Sequence, residues 1–254
     1  MSDSWGSPGT SGPRRQGLSP RTTIWIIAGV ALAAVLIRTH KFSTFDLLFY
    51  GSLIPSVILH EVSHGAVALA FGDDTAKRAG RLTLNPVRHI DPFGTIILPI
   101  LLLLSGHGAF MYAKPVPVNV SRLRNARNTG VVVSLVGPVV NIALAVVLGL
   151  AFKAFVAGQG PRIEAANGVG PIWAQLLFVA GYANVILAAF NLIPLPPLDG
   201  SAVVERLLPK SLLPGYYRIR PFTIFLPLVV IILDPSAFDR LFNWAFIHYA
   251  HAVL

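Results

Sequence analysis

Residues 47–71 read LLFYGSLIPSVILHEVSHGAVALAF, and Glu61 is the only charged side chain among them. A stretch this long and apolar can cross a hydrocarbon core about 30 Å thick as a helix. On that helix His60 and His64 lie one turn apart and project from the same face, a spacing at which two imidazoles bind one Zn²⁺. Glu61 stands beside the first of them, where a carboxylate can take a proton from a metal-bound water. Ionisable residues at membrane depth are costly and mark functional sites. The blander reading is two polar helix positions packed against neighbouring helices. The intramembrane setting favours the metal.

Composition agrees with a chain that lives in a bilayer. Of 254 residues, 54% are hydrophobic and 12% charged, with a mean hydropathy of +0.67, whereas a soluble domain is about a quarter charged. Most of the length is used in spanning or hugging the membrane. Cysteine is absent, so disulfides and thiolate metal sites are excluded and His, Asp and Glu remain as strong ligands. The net charge of +9 comes from twenty Lys and Arg scattered over the loops. Such scatter suits anionic headgroups and topology control, and argues against nucleic acid as a partner.

Outward from the motif, residues 1–21 are rich in Ser, Gly and Pro and read as a disordered tail. Ile24–Ile37, extended from about Thr22, reads as an uncleaved anchor helix, because Arg38-Thr39-His40-Lys41 follows it in place of a small-residue cleavage site. Phe45–Phe71, Gly130–Val156 and Pro171–Leu192 read as clear spans, and Phe222–Leu233 as a shorter one. Phe238–Leu254 reads as an amphipathic interfacial tail, with Trp244 and Tyr249 at headgroup level. Gly94–Gly108 has an apolar run of only about ten residues, interrupted by Pro99, which suits a re-entrant segment better than a span. If it turns back, Lys and Arg divide fifteen to five between the two sides; if it spans, they divide evenly. The positive-inside rule favours the re-entrant arrangement, with the N-terminus, residues 72–129 and residues 200–221 in the cytoplasm.

Two histidines leave a tetrahedral Zn²⁺ short of one protein ligand, since water takes the fourth position. Of the eleven Asp and Glu, Asp199 stands apart because it closes the apolar run Leu187–Leu198. Pro194, Pro196 and Pro197 break the helix just before it, and broken backbone at membrane depth is tolerated only against protein or a watery cavity. A helix-terminating turn would account for Pro-Pro-Leu-Asp-Gly equally well. Asn141 and Asn191 are candidate supports for the site, as structural glue or as contacts to substrate. His40, His89, His107, His248 and His251 lack ligand partners at useful spacing and read as surface or interfacial residues.

These motifs together resemble the site-2 proteases, a family of intramembrane zinc metalloproteases, in its compact bacterial and archaeal branch without a PDZ domain. The resemblance rests on His60, Glu61 and His64, then on Asn191, Pro194, Pro197, Leu198, Asp199 and Gly200. Between them Ser134–Asn141 is similar to the family's Gly-Pro-x-x-Asn span, and Lys114–Asn119 and Leu84–Pro92 also look like the compact branch. One departure is Leu192, where the family run often has Pro directly after Asn. The resemblance covers roughly 45–210. It implies an all-α polytopic membrane protein of about five to six transmembrane helices, with a re-entrant segment and a short membrane-dipping extended hairpin. The implied domain runs over 22–235, flanked by the 1–21 tail and a 236–254 tail.

The implied activity is hydrolysis of peptide bonds in or near transmembrane segments of other membrane proteins, in regulated proteolysis at a bacterial cell membrane. His60, His64 and Asp199 would hold Zn²⁺, and Glu61 would act as general base. A hairpin edge around Gly108–Pro117 would receive substrate as an added strand. Two rivals use the same ligands: a zinc transporter or sensor, and a catalytically silent membrane chaperone. An intact Glu61 argues against the second, and the scarcity of other acidic groups along a membrane path argues against the first.

Overall fold

The computed structural model describes residues 43–97, 111–158, 170–225 and 236–254, together with positions 24, 27, 230 and 234. Among these residues the chain forms seven α-helices and no strand. Three are long and apolar enough to cross a membrane: α1 (Thr44–Ala70), α3 (Ala126–Ala157) and α4 (Ile172–Asn191). The short helices are α2 (Thr75–Arg78), α5 (Ser201–Leu207) and α6 (Leu213–Ile219), and α7 (Ala237–Val253) follows them. The tail expected over 1–21 and most of the expected anchor helix lie outside the described residues. So do most of Gly94–Gly108, His40, His107 and most of Phe222–Leu233.

Each long helix begins where its sequence supplies a start signal. Ser43 and Asp46 form a capping box: Ser43 Oγ accepts from Asp46 N (3.1 Å), and Ser43 N donates back to Asp46 Oδ2 (2.9 Å). Asn125, in the left-handed region at φ 52°, precedes α3, and Pro171 caps α4. The helix α1 ends at Phe71, where Gly72 takes φ +104°, a conformation that favours glycine.

The helices α1, α3 and α4 pack on one another, and α7 lies against α4 and α3. Phe49, Leu53, Val57, Phe152, Phe178 and Tyr182 form the shared core. The opposite face of α3 is apolar and bare: Val139, Val146, Val147 and Leu150 are all more than half exposed. An exposed apolar stripe on a helix of this length is the surface a bilayer covers. The chain is an integral membrane protein.

Two expectations about single side chains need correction. Trp244 is exposed, as an interfacial residue is, whereas Tyr249 is buried inside the bundle against Phe178. Gly149 and Gly181 make this possible, because a Cβ at either would run into the Tyr249 ring. His89 is buried, not superficial, since its Nε2 lies 2.8 Å from Thr83 O and its carbonyl accepts Lys114 N–H at 2.9 Å.

Candidate metal centre

The i,i+4 spacing on α1 aims both imidazoles at the interior, where their ring centroids stand 4.7 Å apart. Asp199 reaches the same point from the far side of the bundle. After α4 ends at Asn191, the backbone cannot continue as a helix because Pro194, Pro196 and Pro197 offer no N–H. The loop closes on itself instead: Asn191 O accepts Gly200 N–H at 2.7 Å, and Leu195 O accepts Leu198 N–H at 2.9 Å. A Cβ at Gly200 would strike the Leu192 carbonyl, so only glycine allows this closure. Asp199 Oδ2 is thereby held 3.0 Å from His60 Nε2 and 3.4 Å from His64 Nε2. One donor atom from each of the three residues lies within 4.8 Å of the others.

The chemistry of these donors fits a cation. His64 Nδ1 lies 2.6 Å from Val133 O, a carbonyl that can only accept. A proton therefore sits on Nδ1, and in the neutral ring Nε2 presents a lone pair. His60 Nδ1 lies 2.6 Å from Asn141 Oδ1, which gives the same tautomer. Both lone pairs face Asp199 Oδ2, a buried oxygen that accepts no hydrogen bond among the described residues. With both rings neutral, three electron-pair donors converge and repel unless a cation lies between them. Two imidazoles and a carboxylate form a set that suits Zn²⁺. Room for it comes from Gly137 on α3, where a Cβ would stand 2.5 Å from His64 Nε2 and 2.6 Å from His60 Nε2.

Glu61 is not one of the three converging donors. Its Oε2 accepts Val116 N–H at 2.7 Å. Val116 sits between Pro115 and Pro117 and is the only backbone donor of the three. It belongs to a stretch without regular secondary structure, 111–119, that runs beside α1 and bonds back to earlier chain, Tyr112 N to Gly94 O (3.1 Å) and Lys114 N to His89 O (2.9 Å).

The two candidate asparagines differ in position. Asn141 is fully buried and touches His60 directly, whereas Asn191 donates to Leu187 O of its own helix (3.0 Å). Sequence reasoning passed over Asn184 of α4, whose Oδ1 accepts from Asn141 Nδ2 at 2.8 Å. The signal was present: an amide in the middle of an apolar span invites the same question as Glu61. The Val116 N–H and the Val133 carbonyl are backbone groups and left no trace in residue types.

Comparison with known proteins gives an independent view. Residues 48–232 match the family model described as Peptidase family M50. A Bacillus subtilis (strain 168) protein, YwhC, is 44% identical over 165 residues, covering 63% of this chain and 68% of its own. The Rip2 protein of Mycolicibacterium smegmatis is 29% identical over 205 residues, covering 76% of this chain and 73% of its own. Rip2 of Mycobacterium tuberculosis is 34% identical over 161 residues, covering 63% and 57%. All three carry the provisional name of a zinc metalloprotease. No solved structure gives a significant match.

Proposed function

Because this chain belongs to peptidase family M50, the site-2 protease family, we propose that His60, His64 and Asp199 hold its zinc and that Glu61 is the base with which it cuts membrane-protein substrates. The convergence of Asp199 Oδ2 on both Nε2 atoms carries this reading. The enzyme is an HExxH-type endopeptidase acting in or near transmembrane segments, as regulated intramembrane proteolysis requires.

Zinc at this site supplies Lewis acidity, which polarises a carbonyl and acidifies a water. The chain's own groups do the rest. Glu61, oriented through Oε2 by Val116 N–H, keeps Oε1 for the proton of the attacking water and delivers that proton to the leaving amine. A helical substrate resists cleavage because its carbonyls are bonded, so it must be held extended. The 111–119 stretch offers an edge for this: the N–H groups of 112 and 114 are used inward, and a substrate strand would add on the other edge to the carbonyls and to the Ala113 N–H, since Pro115 and Pro117 have none.

The active domain spans 22–235, with its core at 45–210 and five to six spans. Residues 94–108 re-enter from the cytoplasmic side. The flanking contacts support this. Asp74 Oδ1 takes Arg78 and Arg122 together, each at 2.5 Å, and Phe71 O accepts Arg124 N–H at 3.0 Å. The N-terminus then lies in the cytoplasm and the protein in the bacterial cell membrane.

The test uses the purified full-length protein and a panel of single-span membrane proteins. Cleavage is expected to stop with chelator and return with Zn²⁺. Glu61→Gln should lose cleavage by several orders of magnitude while keeping its zinc, and Asp199→Asn should lose both. A zinc-loaded Glu61→Gln protein that cuts at the wild-type rate would end the assignment of the base. Full zinc retention in Asp199→Asn would end that of the third ligand.

A further inference from the structure

The zinc reading requires His60 to present an unprotonated Nε2, and nothing in the imidazole itself fixes that. Asn141 can offer His60 either its oxygen or its NH₂, because the two ends of an amide have nearly the same shape. Its oxygen sends the His60 proton to Nδ1 and frees Nε2. Its NH₂ would draw the Nδ1 lone pair and move the proton to Nε2, where it blocks coordination. The choice is made outside the site.

We propose that Asn184 is a positioning residue whose fixed amide orients Asn141 and thereby sets the His60 tautomer that can bind metal. Asn184 Nδ2 donates to Ala180 O (2.9 Å), a backbone carbonyl that can only accept. It also donates to Ser56 Oγ (2.9 Å), whose own proton goes to Ser52 O (2.8 Å). Two acceptors therefore hold the NH₂ end of Asn184, and its Oδ1 must face Asn141. That oxygen takes Asn141 Nδ2 at 2.8 Å, which turns Asn141 Oδ1 toward His60 Nδ1 at 2.6 Å. Asn141 and Asn184 are 0% and 1% exposed, so water does not offer either amide an alternative partner. The direction of every proton from α4 to α1 follows from one main-chain carbonyl. His64 needs no such relay, because Val133 O fixes its tautomer directly.

The inference rests on the zinc reading, and two measurements separate their failures. The first is the ¹⁵N spectrum of the histidine rings in metal-free full-length protein in lipid nanodiscs. Wild type should show His60 protonated at Nδ1, and Asn184→Leu should show protonation at Nε2. The second is Zn²⁺ affinity by chelator competition, which should weaken about 10- to 100-fold in Asn184→Leu, the range usual for loss of a ligand's outer hydrogen-bond partner. The decisive variant adds Asn141→Asp to Asn184→Leu. A carboxylate accepts at both oxygens and needs no orienting, so tautomer and affinity should return; if Asn184 matters only for packing, a second buried defect makes matters worse. Should Asn184→Leu fail to fold, Asn184→Asp keeps the acceptor for Asn141 and should hold both readouts near wild type. An unchanged His60 tautomer with zinc affinity within twofold of wild type in Asn184→Leu overturns the proposal, as does failure of Asn141→Asp to rescue. A wild-type protein with the Nδ1–H tautomer that binds no zinc would overturn the zinc reading instead.

Discussion

At Gly137 the important property is a missing side chain. Alanine is the better helix former by about 1 kcal/mol, so Gly137→Ala should leave α3 intact or firmer. Its methyl group would nevertheless sit 2.5–2.6 Å from the two Nε2 atoms, where a cation must lie. We expect helix content to be unchanged, stability to fall by about 1–3 kcal/mol because the methyl group overpacks the contact between α3 and α1, and zinc affinity to fall at least about tenfold, since ligands held off their distances no longer coordinate. Zinc content after dialysis against a weak chelator, measured beside circular dichroism, checks this; wild-type zinc content would refute it. At this scale the sequence was readable wherever a residue type was unusual for its surroundings. His60, Glu61 and His64 stood out in an apolar helix, and Asp199 stood out at the end of another. Gly137 was legible only as part of the Gly-Pro-x-x-Asn run. What it approaches depends on the rotation of α3 against α1, which the sequence of α3 alone does not determine.

Among the elements, the turn after α1 is held by one carboxylate. Asp73 is fully buried and accepts from Asn119 N (2.6 Å), from Thr75 N (3.0 Å) and from the Thr75 hydroxyl. It ties the end of α1 to the chain that returns from the 111–119 stretch. Burial alone would raise its pKa, but these donors, with Arg122 nearby, hold it below the ordinary 3.8. A carboxyl group whose pKa is lower when folded adds stability above the unfolded value, and that stability is lost as pH falls through the folded one. Melting of the wild type should therefore drop steeply below about pH 4. Asp73→Asn should be less stable by about 1–3 kcal/mol at pH 7, with a flatter acid limb, so that the two curves approach each other at low pH. Parallel curves in a pH series of thermal melts would refute the assignment. The three long helices were legible to within a few residues because their apolar runs are long. The inward packing of α7 was not, since an amphipathic pattern looks alike beside headgroups and beside a bundle. The glycines that receive Tyr249 belong to α3 and α4.

For the whole molecule, charge distribution and contacts bear on the same question. Asp74 joins Arg78 to Arg122, which puts the chain on either side of the 94–108 segment on one side of the membrane. On the proposed re-entrant arrangement Lys and Arg divide fifteen to five, and the positive-inside rule then puts that side in the cytoplasm. Single cysteines placed at 78 and at 122 in this cysteine-free chain should both react with an impermeant maleimide only from the cytoplasmic face of oriented vesicles. Labelling from opposite faces would mean that the segment crosses.

The long helices differ in length: α3 has 32 residues and α4 has 20, about 48 Å and 30 Å at 1.5 Å per residue. A long helix meets a thin or thick membrane by tilting, but α4 has no such reserve. The same short helix carries Asn184 and leads directly into the Asn191–Gly200 loop that presents Asp199. On the proposed zinc reading, lipid acyl-chain length would then bear on the metal centre. Tails that stretch the membrane beyond α4 would act first on the loop that carries Asp199, while His60 and His64 ride on α1, a longer helix of 27 residues. An organism that lengthens or shortens its fatty acids as temperature changes would alter the working rate of this protein without touching its gene.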